Sequence, residues 1–374
     1  MTSGTILLAR YAQTVAETDV IATGEVTPIL QGIYGEVGGI MATAKKHVRE
    51  GSAYPGFRQA ALEEFGDALW YLTALCQRRS IEIDAIFGRA AESGGFDQSL
   101  AASDLESGAV ACISTPSSNR PMDDVLFRLA RTAGELLDPR CSDDVIVEFA
   151  SAYLAALHAA EFSFADVVSE NIKKVRSAFV DPDLREMPDF DREFGPEEQL
   201  PRDFRIRINQ RSSGKSYLQW NGVFIGDPLT DNIGDPDGYR FHDVFHFAYA
   251  AVLHWSPVLR ALIKHKRKSR AEYDEKQDGG RAIVVEEGIA AWLFARAKDL
   301  NYFEGQRKVS LDILKTVREF SAGFEVEACP MKLWERAILQ GFEVFRMVRA
   351  GQGGWVIGSR ETRSLTFAAL EAAE

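Results

Sequence analysis

Ala60-Ala61-Leu62-Glu63-Glu64-Phe65-Gly66-Asp67-Ala68-Leu69-Trp70-Tyr71-Leu72 decides how the first half of this chain is read. Its apolar positions Leu62, Phe65, Leu69 and Leu72 continue to Leu75 at spacings of three and four, the stripe of an amphipathic helix over Ala60 to Arg79. A second stripe (Ile29, Leu30, Ile33, Val37, Ile40, Met41) predicts a helix over 27–50, and Gly51-Ser52-Ala53-Tyr54-Pro55-Gly56 breaks the chain between the two. Glu64 and Asp67 lie three apart and project from one helix face. Antiparallel packing of the two stripes would turn Glu36 toward that pair. Three converging carboxylates repel strongly where the dielectric is low. A hard divalent cation relieves the repulsion, Mg2+ first and Mn2+ as a substitute, and it could also neutralise a polyphosphate. Acidic residues near a helix N-terminus also favour the helix dipole, so spacing alone leaves both readings open.

Working outward, the 374 residues are 46% apolar and 26% charged, a globular composition with room for two or three domains. Lys and Arg number 43 against 55 Asp and Glu, a net charge of −12 that argues against a protein coating nucleic acid. No basic segment followed by a long apolar run opens the sequence, and no apolar stretch has the length of a membrane span. Cys76, Cys112, Cys141 and Cys329 are scattered, which suits reduced thiols in the cytoplasm. The expected organisation is a helical unit over 1–95, a flexible connection over 96–121, and a second helical block over 122–180. That block echoes the first (Tyr71 to Leu75 against Tyr153 to Leu157, Asp84 against Asp166) and is a candidate diverged repeat. An acidic, Pro-containing linker over 181–202 then leads to a last domain, 203–374. There Phe204 to Asn209 alternates and Asn221-Gly222 signals a type I′ hairpin, before the chain turns helical again. The fold class predicted is mainly α, with one small β-hairpin.

The last domain carries a second constellation. His242 and His246 are four apart and stack on one helix face, with Glu286 and Glu287 opening a later apolar helix. Two histidines from one helix and a carboxylate from another make a transition-metal shell, although a buried histidine satisfied by a glutamate fits the same pattern. Lys264-His265-Lys266-Arg267-Lys268-Ser269-Arg270 is a basic island, read as a solvated loop. Phe320, Phe324, Leu333, Trp334, Ile338, Phe342 and Phe345 follow helical spacing and are expected in the core.

Gly35-Glu36-Val37-Gly38-Gly39-Ile40, then Lys45-Lys46, then Glu63 to Leu72 resemble the MazG-like nucleoside triphosphate pyrophosphohydrolases. That family's pattern is Glu-Glu-x-x-Glu followed, one loop later, by Glu-x-x-Asp. The resemblance covers about residues 25–90. It implies a helical bundle, Mg2+ held by Glu36, Glu64 and Asp67, and cleavage of an NTP or dNTP to monophosphate and pyrophosphate. Glu63 would support the site or activate water. Gly39 departs from the pattern where a third Glu stands, which removes a presumed ligand. The family's Asn-x-x-Lys motif is missing from Phe87 to Glu92 but present as Asn171 and Lys174, with Glu135 resembling the acid lost at Gly39. The resemblance thus implies one composite site, in which Lys45, Lys46, Asn171 and Lys174 contact phosphates. Residues from about 226 to 354 resemble the C-terminal domain attached to some MazG-family proteins, and that likeness implies no chemistry. Helical units of this type commonly pair, so a homo-oligomer is expected. The competing readings are a metal-dependent hydrolase working at His242, His246 and Glu286 or Glu287, and a nucleotide sensor without hydrolysis.

Overall fold

A computed structural model of the chain describes residues 8–22, 24–94, 97–102, 109–114, 121–231 and 233–370. These divide into two compact units, Met1–Val180 and Asp181–Glu374.

The first unit is helical: α1 (Ala9–Thr18), α2 (Thr27–Glu50), α3 (Phe57–Arg78), α4 (Ile83–Gly94), α5 (Met122–Glu135), α6 (Asp143–Ala159) and α7 (Phe164–Phe179). Gly32 faces Tyr71, Gly39 faces Glu64 and His47 stacks on Phe57, so α2 and α3 run antiparallel. Their stripes bury Ile29, Ile33, Val37, Phe65, Leu69 and Leu72 in a core that also takes Leu129 of α5, Phe149 and Tyr153 of α6, and Val167 of α7. Residues before and after the expected connection therefore share one hydrophobic core. The connection itself is not wholly irregular: β1 (Asp97–Ala102) pairs antiparallel with β2 (Ala109–Ser114), two runs without Gly or Pro that satisfy each other's backbone groups. Cys112 lies on β2.

The second unit holds a five-stranded antiparallel sheet in the order β5-β4-β3-β6-β7, larger than the predicted hairpin. It consists of β3 (Asp203–Gln210), β4 (Ser216–Trp220), β5 (Val223–Leu229), β6 (Gly353–Ser359) and β7 (Ser364–Ala368). Asn221 and Gly222 both have positive φ (50° and 80°), as a type I′ turn requires. The glycines of strand β6 are steric requirements. A Cβ at Gly354 would meet the Phe367 ring at 2.1 Å and one at Gly358 the Phe204 ring at 2.1 Å. Against the sheet lie α8 (Asp243–Ala248), continued by a π-turn at Tyr249–Leu253, α9 (Pro257–Ile263) and α13 (Met331–Gly351), while α10 (Ala271–Lys276), α11 (Gly280–Lys298) and α12 (Leu311–Ser321) pack on helices of that layer and on one another. Leu333, Trp334, Ile338, Phe342 and Phe345 line the core from α13, but Phe320 is 37% exposed.

Residues 181–202 are no linker. Asp191 is fully buried and binds Arg260 (Nη2–Oδ2 2.5 Å) and Arg360 (Nη2–Oδ1 2.7 Å), while Asp189 also pairs with Arg360. Arg363 donates to the carbonyls of Leu184, Met187 and Pro188. Asp189 and Asp191 of this acidic segment are the counter-charge of buried guanidiniums. The basic island is likewise structural at Arg267, which is 0% exposed and pairs with Asp278 (2.7 Å) and Glu325 (2.6 Å). Among the described residues no single helix is long and apolar enough to cross a membrane. Cys76, Cys141 and Cys329 are buried free thiols.

Candidate functional site

Helices α2, α3 and α7 build the first cluster. Phe65 and Leu69 anchor one face of α3 in the core, and the helical period turns Glu63, Glu64 and Asp67 to its half-buried side. From α2, the protonated Glu36 carboxyl donates to Glu64. Burial, the charge of Asp67 and this hydrogen bond push Glu36 up to about 8. Burial raises Glu64 as well, and the bond from Glu36 opposes the rise. Gly39 explains how the two carboxyls meet: a Cβ there would lie 2.0 Å from Glu64 Oε2, so the missing side chain is the space the Glu64 carboxylate fills.

Helix α7 reaches the same acids. Gly66 lets it approach, since a Cβ at 66 would come within 2.9 Å of Asn171 Cβ. Asn171 is 2% exposed and donates through Nδ2 to Asp67 Oδ1 (3.0 Å). Tyr11 of α1 donates to Asn171 Oδ1 (2.8 Å), which fixes the amide's orientation. Lys174 Nζ bonds Asp67 Oδ2 and lies 2.7 Å from Glu63 Oε1. Burial works against its charge, but Asp67 and Glu63 outweigh that and hold the ammonium above its ordinary pKa. Tyr71 stands close by, its hydroxyl raised by burial and by the charges of Glu36 and Asp67.

Glu36, Glu63, Glu64, Asp67, Asn171 and Lys174 thus come together. Lys45 and Lys46 do not: both are exposed, nine and ten residues beyond Glu36 on α2, which at about 1.5 Å per residue is roughly 14 Å along the axis. Glu135 is exposed at the end of α5. Tyr11 was missed because it belongs to no motif. The signal for Gly66 was a glycine inside a strong helical stripe, which marks a close approach.

The second cluster lies in the second unit. His242 Nδ1 donates to the Tyr239 carbonyl (2.9 Å), and its ring stacks on Tyr239 at 4.3 Å. His246 Nδ1 faces Glu286 Oε1 at 2.9 Å, both side chains fully buried. Glu286 also accepts from Ser256 Oγ (2.7 Å) and the Val258 N–H (2.8 Å), so it braces α8 and α9. Glu287 faces both Nε2 atoms, 3.5 Å from each. Burial disfavours a charged His246, but Glu286 and Glu287 push it up to about 10. Burial likewise opposes ionisation of Glu287, yet His242 and His246 hold it well below the usual carboxylate range. The two glutamates, interchangeable in sequence, are thus separated: Glu287 faces the open side of the imidazoles and Glu286 backs one of them.

Compared with known proteins, residues 185–371 match the family model described as the MazG C-terminal domain. No curated protein and no solved structure matches the chain.

Proposed function

Because the chain belongs to the MazG family, with that family's C-terminal domain, we propose that it hydrolyses nucleoside triphosphates to monophosphate and pyrophosphate, with Mg2+, in the first unit. The observation that supports this reading is the hydrogen-bonded pair of Glu36 and Glu64 in the field of Asp67, beside Asn171 and Lys174. The three carboxylates do not lie within 4.8 Å of one another, so holding an ion requires Asp67 to close on the pair. The donors are all oxygen, as a hard cation requires. Their excess charge is already shared out between a proton on Glu36 and the Lys174 ammonium, the mark of a cluster short of positive charge. Glu36, Glu64 and Asp67 would hold the ion, which when bound neutralises the polyphosphate and orients water.

The rest is the work of side chains. Asn171 keeps one Asp67 oxygen in place and is itself held by Tyr11. Lys174 is the cation suited to receive a phosphate oxygen, because it already stands among the acids. Glu63 positions that ammonium and is our choice of acceptor for the proton of the attacking water. Water oxygen bonds to the α-phosphorus, the α–β bridging bond breaks, and pyrophosphate leaves with the electron pair. Lys45 and Lys46 have no part in this step.

The test is a panel of NTPs and dNTPs with Mg2+, the phosphorus products being resolved. Monophosphate with pyrophosphate, lost in Glu64→Gln and in Asn171→Ala, is expected. Diphosphate with free phosphate, no turnover with Mg2+ or Mn2+, or undiminished turnover in Glu64→Gln would overturn the assignment.

A further inference from the structure

We propose that His242, His246 and Glu287 form a three-ligand site for a first-row divalent transition ion of the zinc class, with a coordination position open to solvent. Two hydrogen bonds fix the tautomers. The Tyr239 carbonyl can only accept, so His242 Nδ1 carries a proton. Glu286 already accepts from Ser256 and Val258, so it too is an acceptor and His246 Nδ1 carries a proton. In the neutral rings both Nε2 atoms are then lone-pair donors, and both face one oxygen, Glu287 Oε2. One ligand atom from each of the three residues lies within 4.8 Å of the others, and no other such His/Cys/Asp/Glu group is found among the described residues.

Distances separate this from a plain ion pair. A charged N–H donating to a carboxylate sits at about 2.7–2.9 Å. Here both separations are 3.5 Å. Two ligands each about 2.0–2.1 Å from a tetrahedral centre lie roughly 3.4 Å apart. A second observation is independent: His246 Nε2 is fully buried and has no hydrogen-bond partner, a costly vacancy for a buried polar atom. His246 and Glu286 are 0% exposed, whereas the Glu287 side chain is 41% exposed, so the open position faces outward from a rigid back wall. Glu286 fixes ring orientation as outer carboxylates do at histidine–metal sites. The nitrogen-rich donor set favours zinc, cobalt or iron over magnesium. The π-turn that follows α8 is the kind of irregularity kept near working sites.

The test uses the full chain, stripped with chelator, in excess Mg2+ so that the oxygen site of the first unit stays saturated. Co2+ is titrated as a visible probe, and retained Zn2+ is counted after dialysis. About one ion per chain is expected, with a Co2+ absorption typical of four or five ligands. Glu287→Gln, partly exposed and so compatible with folding, and His242→Ala should each weaken binding at least about 100-fold at unchanged circular dichroism. Glu64→Gln should leave binding intact, which separates this proposal from nucleotide hydrolysis. Equal retention by wild type and a His242→Ala/Glu287→Gln double variant would overturn it, as would loss of the ion in Glu64→Gln alone.

Discussion

Gly39→Ala isolates the placement of one carboxylate. The added Cβ would lie 2.0 Å from Glu64 Oε2, whereas ordinary contact begins near 3.4 Å, so the carboxylate must retreat by about 1.4 Å. Glu64 is a half-buried side chain able to swing, so the fold survives. Alanine in place of a helical glycine contributes about 0.5–1 kcal/mol. Losing the hydrogen bond from Glu36 costs about 1–2 kcal/mol. The net change is a loss of about 0–1.5 kcal/mol, or at most roughly 3–6 °C in the midpoint of a unit this size. Turnover responds on another scale, because a reacting group displaced by about 1 Å costs on the order of 100-fold. The assay pairs thermal melts with pyrophosphate release at several Mg2+ concentrations. A Gly39→Ala chain with a near-native midpoint and turnover within about threefold of wild type would refute the argument that Glu64 must occupy that space.

Other expectations follow from the same contacts. Glu36 has its folded pKa raised from 4.5 to about 8, so its contribution to stability is full below 4.5 and is lost as pH rises through 8. Metal-free chain should therefore weaken over that window in urea titrations, and Glu36→Gln should flatten the slope; an unchanged slope counts against the shared proton. Lys174→Met strips Asp67 and Glu63 of their partly buried cation, an expected loss of about 2 kcal/mol, between exposed and buried pairs. Added Mg2+ should restore most of it, and indifference to Mg2+ would mean the acids do not bind the ion. Asp191→Ala leaves Arg260 and Arg360 short of a buried partner, for about 3–5 kcal/mol by denaturant unfolding, and a loss under about 1 kcal/mol would contradict the network described.

The helical half was legible because α2 and α3 each carry a clean stripe, and the stripe fixes which face the acids take. Placing Asn171 and Lys174 on those acids was not a matter of periodicity. It depends on Gly66 admitting α7, and periodicity is silent about distance between helices. The second unit was harder. Strand β6 carries a short strand-favouring run, Trp355-Val356-Ile357, but flanks it with glycines that make room for Phe204 and Phe367, and those glycines hide the run from a reading by pattern. Residues 181–202 read as an acidic linker because their arginine partners stand up to about 180 positions away. Glu286 and Glu287 are adjacent in sequence, and only Ser256 and Val258 reveal which of the two faces inward.

Those arginine clamps have a consequence for the integrity of the second unit. Arg360 and Arg363, near its end, grip Leu184, Met187, Pro188, Asp189 and Asp191, near its beginning. The two ends form one fastening, so a fragment starting at residue 203 would carry guanidiniums stranded in apolar surroundings. Proteolysis anywhere in 184–191 should therefore not merely shorten the unit but unbuckle it, releasing the last two strands along with the severed segment.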